Sequence, residues 1–187
     1  MSFQLWARFL YLNSLAALFT ACAFAQSMDD VAILKDFDGQ IAKYLEVRKQ
    51  AGVANKSSNS PDKLADQKQQ TAQKIRESRS AAKQGDIFTP QIAAYFKKRI
   101  TATLQGRDGA KIRASLRHAE PLPEVSLRVN SKYPGNLPLQ STPPTLLLNL
   151  PRLPSELQYR IVGHSLVLYD VPSNLIADFL PGAIPAS

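Results

Sequence analysis

The distribution of proline constrains the fold of this chain more than any other feature of its sequence. Residues 121–187 contain 11 of the 13 prolines, and residues 26–120 contain the other two. Proline lacks an amide hydrogen and ends or kinks a helix, so the C-terminal third cannot form long helices. The sequence therefore predicts an α+β protein in which helices come first and short strands and turns come last.

The first 25 residues have the pattern of a secretory signal peptide. Arg8 precedes an uncharged, mostly apolar run from Phe9 to Ala25, and the small residues Ala23 and Ala25 end that run. We expect cleavage before Gln26, which predicts export to the periplasm or the cell exterior. The alternative is an uncleaved signal that anchors the protein in the membrane.

The single cysteine creates a second alternative for export. The segment from Phe19 to Cys22 is similar to a bacterial lipobox, although Phe19 stands where an aliphatic residue is typical. Lipidation of Cys22 would tether the protein to a membrane as a lipoprotein. One cysteine also excludes a disulfide framework and a Cys-rich zinc module.

Charge and proline content together divide the chain after the signal. Residues 26–120 hold 18 basic and 11 acidic residues, whereas residues 121–187 hold four of each. We therefore predict a helix and a polar linker in residues 26–59 and a basic helical region in residues 60–120. Residues 121–187 are expected to form a Pro-rich β-hairpin module.

Start and stop signals place the helices of the basic region. Proline at a first helical position, preceded by serine or threonine, predicts helix starts at Pro61 and Pro90. The first of these helices is expected to run through Lys83, and Gly106 is expected to end the second. Asp108 is expected to cap a short fourth helix.

A β-hairpin is the strongest local signal in the Pro-rich part. Residues 157–162 and 165–171 flank Gly163 and His164, and glycine in the first turn position favours a type II′ turn. This register makes one face nearly all apolar, because it pairs Ile161 with Leu166, Tyr159 with Leu168 and Leu157 with Asp170.

Two further strands are predicted next to this hairpin. Residues 175–180 follow a turn and can extend the sheet, and residues 125–129 alternate as a strand does. A three-stranded sheet with one apolar face needs a cover. The helices around residues 92–116 are the expected cover.

The C-terminal third resembles a family of uncharacterised exported bacterial proteins. The resemblance lies in residues 125–134, the pair Pro143 and Pro144, residues 150–170 and residues 174–178. It implies export and brings no assigned activity. The hairpin alone is similar to the C-terminal module of periplasmic nickel/cobalt-homeostasis proteins, which implies a fold rather than a function. The residues that carry this second likeness are Tyr159, Arg160, Gly163, Leu166, Leu168 and Asp170.

The sequence signals for catalytic and metal-binding residues are weak. His164 is adjacent to Ser165, but it occupies the turn, and no nucleophile-elbow motif occurs in the chain. Glu156, Asp170 and Asp178 lack the spacing of a cation-binding loop, so a turn or edge role is expected. We therefore predict no catalytic residue, no metal site and no cofactor.

The basic region carries the most informative charge pattern. Residues 48–120 contain 16 basic and six acidic residues. Such a surface can contact anionic lipid, acidic polysaccharide or an acidic protein, whereas the export signal argues against nucleic acid. A solvated helix surface without a partner is the alternative. The candidate residues for an anionic partner are Lys97, Lys98, Arg99, Arg113 and Arg117.

These features favour an exported cell-envelope protein that binds a partner without catalysis. The partner is unknown at this stage, and membrane attachment requires either lipidation of Cys22 or an uncleaved signal. An accessory hydrolase, or an inhibitor of one, in the periplasm is a second hypothesis. A periplasmic metal-homeostasis accessory is a third.

Overall fold

The structure is a computed structural model that describes residues 4–52, 60–117, 126–133 and 142–185, without the side chains of residues 4–27 and 117. The predictions for Cys22, Ala23, Ala25 and Gln26 therefore concern side chains outside the described residues. The protein has the predicted α+β architecture of helices followed by an antiparallel sheet. The helices are α1 (Gln4–Gly52), α2 (Pro61–Ser78), α3 (Pro90–Gln105), α4 (Gly109–Arg117) and α5 (Pro144–Leu147).

The helix boundaries follow the predicted signals, with one exception. Helices α2 and α3 begin at their prolines, and α3 ends before Gly106, as expected. Helix α2, however, ends at Ser78 rather than Lys83. Arg79 leaves the helical conformation, and its guanidinium donates hydrogen bonds to Asn130 and to the Ala177 carbonyl. These tertiary contacts end the helix earlier than the local sequence predicts.

The sheet contains three antiparallel strands in sequence order, namely β1 (Leu157–Val162), β2 (Ser165–Asp170) and β3 (Leu175–Leu180). The predicted hairpin register is confirmed for all three residue pairs. Gly163 has a φ of +56°, while His164 is not among the residues with positive φ. This combination is the type II′ turn that the sequence predicts.

Helices α1 and α3 cover the apolar face of the sheet. Phe96 of α3 contacts Tyr159 of β1 at a ring-centroid distance of 5.9 Å and Phe37 of α1 at 5.0 Å. Side chains from residues 26–59, 60–120 and 121–187 all enter this one core. The predicted cover from residues 92–116 is therefore present, and α1 contributes a second layer of it.

The other face of the sheet is also covered, which the sequence did not predict. Val167, Tyr169 and Ile176 are buried there against Tyr133. The strand predicted at residues 125–129 is wrong, because its described residues, 126–129, form a loop. The chain reverses at Asn130, which has a φ of +62°, and then pairs with β3 only around Lys132.

Candidate functional site

The three consecutive basic residues of α3 are all exposed but point in different directions. Successive residues of a helix are about 100° apart, so Lys97 and Arg99 lie on nearly opposite sides of the exposed surface. Lys98 lines a cleft with Asp29, Asp30 and Asp36 of α1. Lys97 lies beside Gly182, where an added Cβ would be 3.9 Å from the lysine Nζ. Of these three residues, Arg99 lines a pocket together with another basic residue, Arg107.

Arg99 and Arg107 line a shallow pocket between the end of α3 and α5, here called the Arg99–Arg107 hollow. Its volume is about 280 Å³, and Thr103, Thr145 and Asn149 contribute hydrogen-bonding groups to its wall. The acidic residue Asp108 also lines the hollow, and its carboxylate lies 3.9 Å from the ammonium group of Lys111. Neither arginine forms a salt bridge within the described part of the chain. Two leucines in or directly after α5 are exposed, with Leu148 at 85% and Leu147 at 41%.

The remaining predicted basic residues have other surroundings. The Arg113 guanidinium donates a hydrogen bond to the Leu104 carbonyl and so satisfies a group at the end of α3. Gly109 lets the start of α4 lie close to the end of α3, because a Cβ at this position would collide with the Leu104 carbonyl. The side chain of Arg117 lies outside the described residues. Arg113 therefore has a structural contact in addition to its charge.

Asp170 forms the centre of a buried polar cluster that connects the sheet to α1. Its carboxylate accepts hydrogen bonds from the Tyr44 hydroxyl at 2.8 Å and from Arg48 Nε at 3.1 Å. It also accepts the Ser173 amide hydrogen at 2.9 Å, which fixes the turn between β2 and β3. Burial, followed by the charge of Asp170, raises the pKa of Tyr44 above its ordinary value. The hydroxyl therefore remains a donor.

Asp178 connects β3 to the loop after α2 in a different way. Its two oxygens accept backbone amide hydrogens from Gly85, Ile87 and Phe88 at 2.8–3.0 Å, as well as its neighbour's. Nearby, Arg79 lies 4.8 Å from the centre of the Tyr44 ring, and burial lowers its pKa. The edge or turn role predicted for Asp170 and Asp178 is incomplete, because both carboxylates are fully buried.

The hairpin residues singled out in the sequence serve the fold. Tyr159, Leu166 and Leu168 are core residues. Arg160 contacts Gln158 and lies over the Tyr169 ring. The ring nitrogen Nδ1 of His164 lies 3.2 Å from the Ile184 carbonyl oxygen, so the turn histidine holds the C-terminal segment. None of these contacts brings His164, Ser165 and Asp170 together.

A second basic pocket was not predicted. It lies between the end of α1, α2 and the turn after β2, and it is here called the Arg48 cleft. Its volume is about 430 Å³, and it is lined by Arg48, Lys49, Gly52, Leu64, Gln67, Lys68, Thr71, Pro172 and Ser173. The only sequence signal for it was the spacing of Tyr44 and Arg48 on one face of a helix.

Neither a metal-ion cluster nor a membrane-spanning helix is found among the described residues. Within residues 28–52, 60–116, 126–133 and 142–185, no three histidine, cysteine, aspartate or glutamate side chains are placed to hold a metal ion. No helix in the described part combines the length and apolar character that crossing a membrane requires.

Comparison with known proteins leaves the site to be argued from its own chemistry. The chain matches no protein-family model, no curated protein and no solved structure. The Arg99–Arg107 hollow and the Arg48 cleft, whose Arg48 is held by the buried Asp170, are the two basic pockets described above.

Proposed function

We propose that this chain is an exported, non-catalytic protein of the bacterial cell envelope that binds an anionic membrane surface through α3, α4 and α5. The observation that carries the proposal is the charge of residues 90–117, which contain seven basic residues and one acidic residue. The apolar stripe of α3 is buried, so its exposed surface is predominantly basic.

The arrangement of these charges favours a surface over a compact ligand. Arg99 and Arg107 face the hollow, while Lys97 and Lys111 are exposed elsewhere on the same helices. A bilayer whose anionic headgroups face the hollow can attract Arg99 and Arg107, at about 1 kcal/mol for each basic residue near the surface, whereas Lys97 lies on nearly the opposite side of α3. Leu148 precedes Asn149 of the hollow in sequence and is exposed, so it can enter the interfacial layer.

Vesicle sedimentation tests this proposal. We expect the protein to bind vesicles of phosphatidylglycerol and phosphatidylcholine, and binding should weaken as salt is added. The double variant Arg99→Glu with Arg107→Glu should lose at least tenfold in partition coefficient. A matched control reverses two exposed lysines of α2, Lys63→Glu with Lys74→Glu, and changes the net charge equally. Equal loss in both variants, or no binding by the unaltered protein, would contradict the proposal.

The same variants separate the other partners. Failure to bind vesicles together with Arg99-dependent binding to polyglutamate would indicate an acidic protein instead of lipid. Binding only to an acidic polysaccharide would indicate a wall-associated partner. Either result would replace the membrane surface in the proposal while keeping the basic face.

Export is tested by the mass of the mature protein in its native host. A mass that begins at Gln26 in the soluble fraction would support a free exported protein, and an acylated Cys22 in the membrane fraction would support a lipoprotein. A full-length mass in the cytoplasmic fraction would contradict export.

A further inference from the structure

The Arg48 cleft is separate from the proposed membrane-binding face and has a distinct chemistry. Arg48, Lys49 and Lys68 contribute three basic side chains to its wall, and no acidic residue lines it. Lys49 and Lys68 are exposed, so their side chains can reach a ligand that enters the cleft from solvent. Three basic side chains therefore lie close together in a cleft whose wall is formed by α1, α2 and the turn after β2.

An ion pair with a buried carboxylate fixes the position of the Arg48 side chain. Its Nε donates to the fully buried Asp170 carboxylate at 3.1 Å, and its side chain is 21% exposed. Its two terminal nitrogens make no hydrogen bond to another described residue. An arginine oriented in this way keeps two parallel donors for a planar or tetrahedral oxyanion.

Ser173 adds an independent observation. It lines the same cleft and is 3% exposed, yet its hydroxyl has no hydrogen-bond partner among the described residues. A buried hydroxyl without a partner is costly and therefore uncommon in folded proteins. Rotation of the side chain to another staggered position can offer this hydroxyl to a group in the cleft.

We infer that the Arg48 cleft binds a phosphate group, with Arg48 as the bidentate donor, Lys49 and Lys68 as counter-charges and Ser173 as a hydroxyl donor. Phosphate suits this set because it accepts several hydrogen bonds and carries up to two negative charges near neutral pH. Leu64 and Pro172 in the same wall leave room for an apolar part of a phosphorylated compound.

Thermal unfolding in inorganic phosphate tests the inference. Binding to the folded state should raise Tm in a saturable way compared with chloride at equal ionic strength. We expect Lys49→Gln with Lys68→Gln to weaken the apparent Kd for phosphate at least tenfold. Lys63→Gln with Lys74→Gln removes the same charge from exposed positions of α2 outside the cleft, so it is the matched control and should leave the Kd unchanged. The absence of a saturable shift, or an equal loss in the control, would overturn the inference.

Ser173→Ala separates binding from folding. Because the hydroxyl has no partner, its removal should leave Tm without phosphate unchanged or higher, while the phosphate-induced shift becomes several-fold weaker. An unchanged phosphate response would remove Ser173 from the site. A lower Tm without phosphate would show that the hydroxyl serves the fold instead.

Two comparisons distinguish the source of the phosphate and the two basic sites. Glycerol phosphate should reproduce the shift seen with inorganic phosphate if the natural ligand is soluble. Vesicle binding that the Lys49 and Lys68 double variant loses would instead assign the cleft to lipid headgroups. The Lys49 and Lys68 double variant should keep vesicle binding through α3 if the ligand is soluble. The Arg99 and Arg107 double variant should keep the phosphate shift. Loss of the phosphate shift in that variant would contradict two independent sites.

Discussion

Asp170 and Asp178 are two fully buried carboxylates in the same small sheet, yet they are satisfied in opposite ways. Asp170 is held mainly by side chains, namely a tyrosine hydroxyl and an arginine guanidinium. Asp178 receives only backbone amide hydrogens from the loop at residues 85–88 and from its own strand. The first therefore orders a cationic side chain beside a cleft, while the second orders a segment of main chain. Two equally buried carboxylates therefore have different structural roles.

The largest loss of stability is expected at Asp178, because the buried backbone amides that it accepts from have no other acceptor in the described part of the chain. Asp178→Ala leaves the amide hydrogens of Ile87 and Phe88 buried without acceptors, and it should lower the free energy of unfolding by about 3–5 kcal/mol. Asp178→Asn keeps one acceptor oxygen and should cost less. Urea denaturation measures both. A loss below about 1 kcal/mol for the alanine variant would show that water replaces the carboxylate.

Asp170→Ala should have a smaller effect, about 2–3 kcal/mol, because Arg48 can turn towards solvent once its partner is removed. A double-mutant cycle with Arg48→Met isolates the coupling between the two side chains. We expect Arg48→Met alone to cost less than Asp170→Ala, since the carboxylate keeps Tyr44 and the Ser173 amide. Equal losses would mean that the ion pair, and not the whole cluster, holds Asp170.

Alkaline pH should weaken the Asp170 cluster through Tyr44. The folded-state pKa of Tyr44 is raised, so its stabilising contribution is complete below the unfolded pKa of about 10 and falls as pH rises above it. Each such tyrosine lowers stability by about 1.4 kcal/mol per pH unit in that range. Tyr159, whose pKa burial also raises, should contribute a second equal slope. Tyr44→Phe should reduce the slope of the unfolding free energy against pH by about 1.4 kcal/mol per pH unit. Urea denaturation at several pH values from about 9 to about 12 measures this slope. An unchanged slope would contradict the assignment.

Gly163→Val provides the reference for a site distant from both carboxylates. No atom lies within 4 Å of a Cβ at this position, so crowding is absent and the positive φ alone disfavours valine. We expect a loss of about 1 kcal/mol, which should add to the loss caused by Asp178→Ala. An unchanged Tm would refute the strain expected at the type II′ turn.

Local signals predicted the elements whose stabilising features lie close together in sequence. The Gly163 turn determines its own register, and Pro90 and Gly106 mark the two ends of α3. The strand predicted at residues 125–129 failed because Leu127 packs from a loop into the cluster of Tyr133, and Asn130 then reverses the chain.

The candidate sites depended on contacts that no local pattern contains. Asp170 lies 126 residues from Tyr44, and Asp178 lies 91 residues from Ile87, so neither carboxylate could be recognised as buried from its neighbours. The basic residues of α3 were visible in the sequence. Their division among three surfaces, and the meeting of Arg99 with Arg107, required the structure.

The position of α1 has a consequence for the order in which this protein can fold. Its buried residues Phe37 and Ile41 pack in the core that β1, β2 and β3 complete, and those strands end only at Leu180. A chain made from its N terminus can cover Phe37 with Phe96 of α3, but it cannot complete this core until β3 has been synthesised. Closing such distant contacts is slow, and exposed apolar surface favours aggregation meanwhile. We therefore expect the helices of the newly made chain to gain their full core packing only once β3 has been synthesised.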